Sequence, residues 1–383
     1  MTMNAAASRD KRLLEFDIIR AIAILMIVLY HMYLYISSDL FGIHYLWSIS
    51  QGYLVLLGLG LFFFVSGFVI HHRYPILASK DEIKTFLTRR AIRIYPLYEI
   101  ALFVTLAGAL FRVIPTRLSD ISFTPLGIFI YALGAQGLFA PLLLPYVSWA
   151  YWFIGIILLY YLLYPLLIRY SSNNVQKLVL ISVAVFLTFF AARETFNTID
   201  YRFFLYYFIF IGGIVSSILI DKLAVIKKNR PFVMMASALS LAALMYAYSY
   251  LLNSADFSDI PSAFTVTEPS IFVFNLVLFI LRDVMIFIFV LFIYCAAGYI
   301  IRLSELLRAF QIVSYSSYSL YLFHVPILAA LATALTRVIN TGLLEKDVLF
   351  IIIGLPATCL ISFAIQRIAD VGLGQLVAVR KDN

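Results

Sequence analysis

Charge is what this sequence has least of. Of its 383 residues only 13% are charged and 63% are apolar, and the mean hydropathy is +0.99. A soluble domain hides apolar side chains beneath a polar surface, and this chain has too few polar residues to build one. Cysteine is nearly absent as well. Cys295 and Cys359 both sit inside apolar runs, so a disulfide framework is not expected. The sequence contains no glycine-rich phosphate loop, no H-E-x-x-H, no Cys-x-x-Cys and no G-x-S-x-G elbow. Metal catalysis and soluble-type nucleotide hydrolysis therefore have no support in the sequence. The adjacent pair His71–His72 cannot face one metal ion from a regular helix. No cleavable signal peptide is expected, because the first apolar run is of span length with no small-residue site directly after it. Internal repeats and low-complexity tracts are not evident either.

What is present is apolar sequence in long runs. Eleven segments stand out, at about 14–36, 50–71, 97–114, 122–145, 147–168, 178–192, 203–220, 232–252, 271–301, 310–336 and 348–366. Runs of 18 or more apolar residues predict membrane helices, so the expected fold is an all-α, polytopic transmembrane bundle. The segment 122–145 is different: Pro125, Gly134, Gly137, Pro141 and Pro145 interrupt it, and only Tyr146 separates it from the next. If it does not cross, ten spans remain and the N-terminus starts in the cytoplasm. Most of the 28 Lys and Arg residues then collect on the cytoplasmic side, as the positive-inside rule requires. If it did cross, the basic loops at 221–230 and 367–381 would face outward. The expectation is therefore about ten spans with 122–145 as a re-entrant or interfacial element, its backbone shielded by protein. Residues 1–13 and 371–383 are expected to be cytoplasmic tails around a single membrane domain at 14–370, in the plasma (cytoplasmic) membrane. The net charge of +8 is explained by such loops. The partner it implies is the lipid bilayer and not nucleic acid.

The first span carries Glu15, Asp17, Arg20 and His31. Ionisable side chains inside a membrane are costly and usually functional. Eleven residues bring a helix round to within roughly 20°, so Arg20 and His31 share a stripe about 16 Å apart. Asp17 lies one turn before Arg20. A buried ion pair with a structural histidine, or a functional pathway, fits this pattern equally. In FLTRRAIRIYPLYE, Phe86 to Glu99, Arg89, Arg90 and Arg93 fall at helical spacing. They read either as headgroup anchors or as a grip on a phosphorylated cytosolic donor such as coenzyme A. LGLGLFFFVSGFVIHHR, Leu57 to Arg73, supplies small residues for close helix packing. SWAYWFIGIILLYYLLYP, Ser148 to Pro165, sets Trp149 and Trp152 at an interface above a run of tyrosines. SYSSYSLYLFHVP, Ser314 to Pro326, makes a polar stripe of Ser317, Tyr318, Tyr321 and His324, suited to a helix contact or a substrate path. Arg282 and Asp283 lie mid-span in 271–301.

Taken in order, these stretches resemble the acyltransferase type 3 family, the membrane O-acyltransferases that modify cell-envelope glycans and lipids. Asp17, Arg20, Ala21 and His31 look like its D-x-x-R-A … H, and Phe62 to Phe68 is similar to F-F-x-x-S-G-F. Phe86, Arg89, Arg90, Arg93 and Pro96 look like F-x-x-R-R-x-x-R-x-x-P. Trp152, Phe153, Tyr161 and Pro165 resemble its tryptophan helix, and Ser317 to Pro326 resembles S-Y-S-L-Y-L-x-H-x-P.

The resemblance implies acyl transfer from cytosolic acyl-CoA, habitually acetyl-CoA, to a hydroxyl of an extracytoplasmic glycan or lipid-linked sugar. No metal takes part. His31 corresponds to the family's essential histidine and would act as general base or acyl carrier, with Asp17 and Arg20 beside it. Arg89, Arg90 and Arg93 would hold the donor. Trp152, Tyr318 and His324 are candidates for the acceptor path. The sequence departs at Ile157, where many glycan-modifying members carry Glu, and it lacks the esterase-like domain appended to some. The rival expectation is a transporter or flippase, which would also bury charges but would show repeat symmetry.

Overall fold

The computed structural model describes residues 13–33, 35–36, 43–110, 124–139, 151–196, 198–254, 269–338 and 343–379. The N-terminal tail, the last four residues, the ends of the 122–145 segment, Trp149 and the loop 255–268 lie outside them. The described residues form helices and no strand. In chain order the helices are α1 (Leu14–Tyr33), α2 (Ile43–Arg73), α3 (Lys80–Leu110), α4 (Pro125–Ala132), α5 (Gln136–Phe139), α6 (Trp152–Ser171) and α7 (Val175–Phe196). They continue as α8 (Tyr201–Ile218), α9 (Leu223–Lys228), α10 (Arg230–Ser254), α11 (Pro269–Ile300), α12 (Ser304–Tyr315), α13 (Ser317–Val338) and α14 (Leu343–Val379). Among the described residues, ten of these are long and apolar enough to cross a membrane. The fold is an all-α multi-pass bundle.

The bundle has an inside and an outside of its own. α1 and α2 are the enclosed centre, with Ile18, Ile19, Ile24, Leu61, Phe63 and Phe68 fully buried. α7 and α10 are peripheral and present Leu180, Leu187, Phe232 and Leu239 outward, as helices facing lipid tails should. α2 packs on α1 and α8. The α2–α8 contact is close enough to need glycine on both sides. A Cβ on Gly67 would run into the Phe210 carbonyl, and one on Gly213 into the Phe64 carbonyl. This is the small-residue contact that lets membrane helices gain packing energy where lipid supplies no hydrophobic drive.

Two boundaries differ from the sequence expectation, both for reasons of local hydrogen bonding. α3 begins at Lys80, so the arginine stretch is helical and continuous with the span. Ser79 and Glu82 form a capping box: Glu82 N donates to Ser79 Oγ at 3.1 Å, and the Glu82 carboxylate accepts from Ser79 N and Ala78 N. The segment 310–336 is broken at Ser316, between α12 and α13. There Ser316 Oγ donates to the Ile312 carbonyl at 3.1 Å, and Ser319 Oγ donates to the Ser316 and Ser362 carbonyls at 2.9 and 2.7 Å. Serine hydroxyls that compete for backbone carbonyls favour a turn.

Within 122–145, the described part holds only α4 and α5, eight and four residues long, too short to cross. Thr124 caps α4 by accepting from Gly127 N, with Pro125 in the first turn. Gly134, at φ 65°, turns the chain between the two helices. This elbow leans on the middle of α3 and α6, and neighbours satisfy its backbone. Tyr95 Oη donates to the Leu133 carbonyl and Tyr98 Oη to the Tyr131 carbonyl, each at 2.7 Å. Asp200 N donates to the Gly137 carbonyl at 3.0 Å. Irregular backbone beside membrane helices needs such partners, because lipid offers none.

Valine at Gly67 or Gly213 should destabilise by at least the cost of an overpacked core, about 1–3 kcal/mol. Alanine at Gly52, where nothing lies within 4 Å, should be neutral. Thermal unfolding of the three variants in detergent checks this; equal melting temperatures would contradict the close α2–α8 contact.

Candidate functional site

A cavity of about 690 Å³ opens between α1, α2, α3, α6, α12, α13 and α14. Arg20 from α1 and Arg89, Arg90 and Arg93 from α3 all line it, together with Tyr161, Ser317, Tyr318 and Tyr321. Residues from five separate sequence stretches therefore meet in one space large enough for a substantial ligand.

Arg90 defines its character. The guanidinium sits 5.5 Å from the Tyr74 ring centroid, 5.7 Å from Phe86 and 5.7 Å from Tyr161. Three π-faces offset part of the cost of taking the charge out of water, yet its Nε is buried with no hydrogen-bond partner. The surrounding field is positive. Burial pushes the Tyr74 phenol up, but a hydrogen bond with Arg89 and the charges of Arg90 and Arg73 outweigh this and leave it below 10.0. Tyr318 closes the α13 wall and donates to the Ile94 carbonyl at 2.7 Å.

Tyr321 marks the far end of the cavity. Its ring lies 5.9 Å from that of His324, which lies 4.7 Å from that of His31 in an edge-to-face arrangement. Both imidazoles are held by their own helices. His31 Nδ1 donates to the Ile27 carbonyl at 2.9 Å. His324 Nδ1 donates to the Tyr321 and Leu320 carbonyls at 2.7 and 3.1 Å. A carbonyl only accepts, so in each neutral ring the proton is on Nδ1 and Nε2 carries the free lone pair. His324 is fully buried, and its Nε2 has no partner. The two rings are thus held beside one another, beyond the arginine cavity along α1 and α13.

The structure brings Arg20, Arg89, Arg90, Arg93 and Tyr318 to the cavity, and His31 and His324 to each other. Asp17 sits one turn from Arg20 and accepts a long hydrogen bond, 3.4 Å, from Ser314 Oγ. Glu15 faces away from the cavity. It pairs with Lys227 at 2.9 Å and Arg230 at 3.7 Å, tying α1 to α9 and α10. Trp152 makes aromatic and cationic contacts. Its ring stacks between Tyr206, at 6.0 Å, and the Arg202 guanidinium, at 4.6 Å. Arg202 is clamped in turn by Asp200 through Nε and Nη2 at 2.7 to 3.1 Å. Arg282 and Asp283 pair at 2.6 Å, and Arg282 also reaches the Leu205 carbonyl. They brace α11 against α8. Among the described residues, no cluster of three or more His, Cys, Asp or Glu side chains is placed to hold a metal ion.

A family profile described as an acyltransferase domain matches residues 13–367. The chain belongs to the acyltransferase type 3 family. It is an acyltransferase, and the four cavity arginines and the histidine pair lie inside the matched region. No match was found among curated proteins or among solved structures.

The sequence analysis did not single out the Asp200–Arg202 clamp. The signal was an acid and a base two residues apart at a helix start. It also passed over Tyr315, Gln366 and Asp370, which line the same cavity. Gln366 and Asp370 are four apart at the end of an apolar run, a spacing that puts both on one helix face.

Replacing Arg202 by Ala should change Trp152 emission and cost about 1–2 kcal/mol of cation–π energy. Fluorescence and thermal unfolding in a Trp47→Phe, Trp149→Phe background measure both. An unchanged spectrum would contradict the stack.

Proposed function

We propose that this acyltransferase takes an acyl group, acetyl by family habit, from acyl-CoA and passes it to a hydroxyl of an extracytoplasmic glycan or lipid-linked sugar. The observation that carries the proposal is the convergence of Arg20, Arg89, Arg90 and Arg93 on one cavity. Arginine presents planar, always-charged donors suited to phosphate oxygens. Coenzyme A brings several phosphates on a long arm. The basic end of the bundle faces the cytoplasm by the positive-inside rule, so the donor arrives there and the acceptor reaches the histidine end from outside.

The chemistry at the far end follows from the tautomers. The acceptor hydroxyl oxygen attacks the thioester carbonyl carbon while its proton moves to His31 Nε2. The carbon–sulfur bond then breaks, the coenzyme leaves as thiolate, and the imidazolium returns the proton to it. In the two-step version His31 Nε2 attacks the thioester carbonyl and the carbon–sulfur bond breaks to release the coenzyme thiolate; the hydroxyl then displaces the ring from the acyl-imidazole, its proton going to the thiolate. Either route needs Nε2 unprotonated and Nδ1 held, and Ile27 provides that hold. Arg20 sits about 16 Å from His31 along α1, a gap that a pantetheine arm can cross.

The expected outcomes separate the two ends. His31→Ala should lose at least 100-fold in transfer, the usual worth of a positioned base or nucleophile, while acetyl-CoA still raises the melting temperature of the purified protein. Arg90→Ala should lose that stabilisation. Activity retained by His31→Ala at normal expression, or an undiminished acetyl-CoA shift in Arg90→Ala, would sink the assignment. Mass spectrometry of envelope glycans from cells with and without the protein identifies the acceptor.

A further inference from the structure

The arginine cavity and the histidine pair are not one open space. Phe62 from α2, Phe153 from α6 and Tyr321 from α13 line the cavity, and among the described residues neither His31 nor His324 does. The three rings touch one another. Their centroids lie 5.9 Å apart for Phe62 and Phe153, 6.4 Å for Phe62 and Tyr321, and 4.8 Å for Phe153 and Tyr321. These are the spacings of packed aromatic pairs, and all three residues are buried. Behind Tyr321 stands His324, and behind His324 stands His31. A wall of rings therefore separates the cavity from the histidines.

An acyl-CoA carries its acyl group at the tip of the pantetheine arm, so the acyl group meets this wall first. It passes only as far as the rings turn aside, and the three are not equally braced. Phe153 is backed by Phe63 at 4.8 Å and by Trp152 at 6.3 Å, and Trp152 is itself stacked against the Arg202 guanidinium. Tyr321 is backed by His324, whose Nδ1 donates to the Tyr321 carbonyl at 2.7 Å. Among the described residues, Phe62 meets no aromatic ring beyond the other two of the wall. We propose that Phe62, Phe153 and Tyr321 form a filter that selects the acyl group by its width, with Phe62 as the ring that yields against two that are braced. The stretch of the arm next to the sulfur is an unbranched chain. An opening wide enough for that stretch admits short unbranched acyl groups and refuses branched ones. This rests on the reading of acyl-CoA as donor and His31 as the point of transfer, and it names the class of acyl group that the site takes.

The test uses membranes of the producing cells, which hold the acceptor, and radiolabelled acetyl-CoA, butyryl-CoA and isobutyryl-CoA. The last two are isomers that differ only in branching. Transfer is the label that enters membrane material above the level in His31→Ala membranes, and donor binding is the thermal shift of the purified full-length protein. In the wild type, butyryl should transfer within severalfold of acetyl. Isobutyryl should be slower than butyryl by about 10- to 200-fold, the discrimination that one misplaced carbon commands in a tight site. All three donors should give the same thermal shift, because the arginine end holds the coenzyme. Phe62→Ala should bring the two isomers to nearly equal rates while the thermal shift stays; intrinsic reactivity cancels when the ratio is compared with that of the wild type. Phe62→Leu, which leaves a smaller void, should narrow the ratio part of the way and replaces the alanine variant if that no longer binds the donor. Equal wild-type rates for the two isomers, or a ratio that the donor-binding Phe62 variant leaves unchanged, would overturn the filter and leave the donor reading standing. No His31-dependent label from acetyl-CoA would overturn both.

Discussion

A guanidinium withdrawn from water must be met by anions, dipoles or π-faces, because an unmet buried charge costs several kcal/mol. Arg90 is the residue on which this constraint falls hardest. Three aromatic rings from the α2–α3 loop, α3 and α6 converge on it, and its Nε remains unmet. Tyr74 is in turn held in place: Tyr164 Oη donates to the Tyr74 carbonyl at 2.6 Å and accepts from His71 Nδ1. The aromatic load at this end of the bundle is thus packed around a buried charge.

The same logic orders the rest of the bundle. Close packing of α2 on α8 through Gly67 and Gly213 removes space that side chains would fill, and it sets α2 against α1. α1 and α13 then run beside each other, bringing His31 to His324. The α4–α5 elbow fills the gap between α3 and α6 without crossing, its carbonyls met by Tyr95 and Tyr98. The arginine-lined cavity and the histidine pair are joined along α1, with Tyr321 between them.

The helices and most of the site residues were legible in the sequence because membrane helices satisfy their own backbone, so span-length apolar runs report them directly. The charges in α1 and the arginines of α3 were legible because they break that apolar pattern. The break at Ser316 was hidden, since hydroxyl-to-carbonyl bonds leave no trace in hydropathy. The early start of α3 was marked by the Ser79–Glu82 capping box, a signal that sits outside any apolar run. The Gln366–Asp370 wall could not be foreseen as part of the cavity. It depends on how α14 packs beside α12, which is a contact between distant parts of the chain.

Sidedness is the central claim: donor at the arginine end, transfer at the histidine end. It is tested most directly in sealed proteoliposomes whose orientation is fixed by protease sensitivity of a terminal tag. Radiolabelled acetyl-CoA is supplied on one side only, with the lipid-linked acceptor in the membrane. The account predicts labelled acceptor when the donor is given on the face that carries Arg89, Arg90 and Arg93, and none when it is given on the other. Equal labelling from both faces, or labelling only from the histidine face, would contradict it.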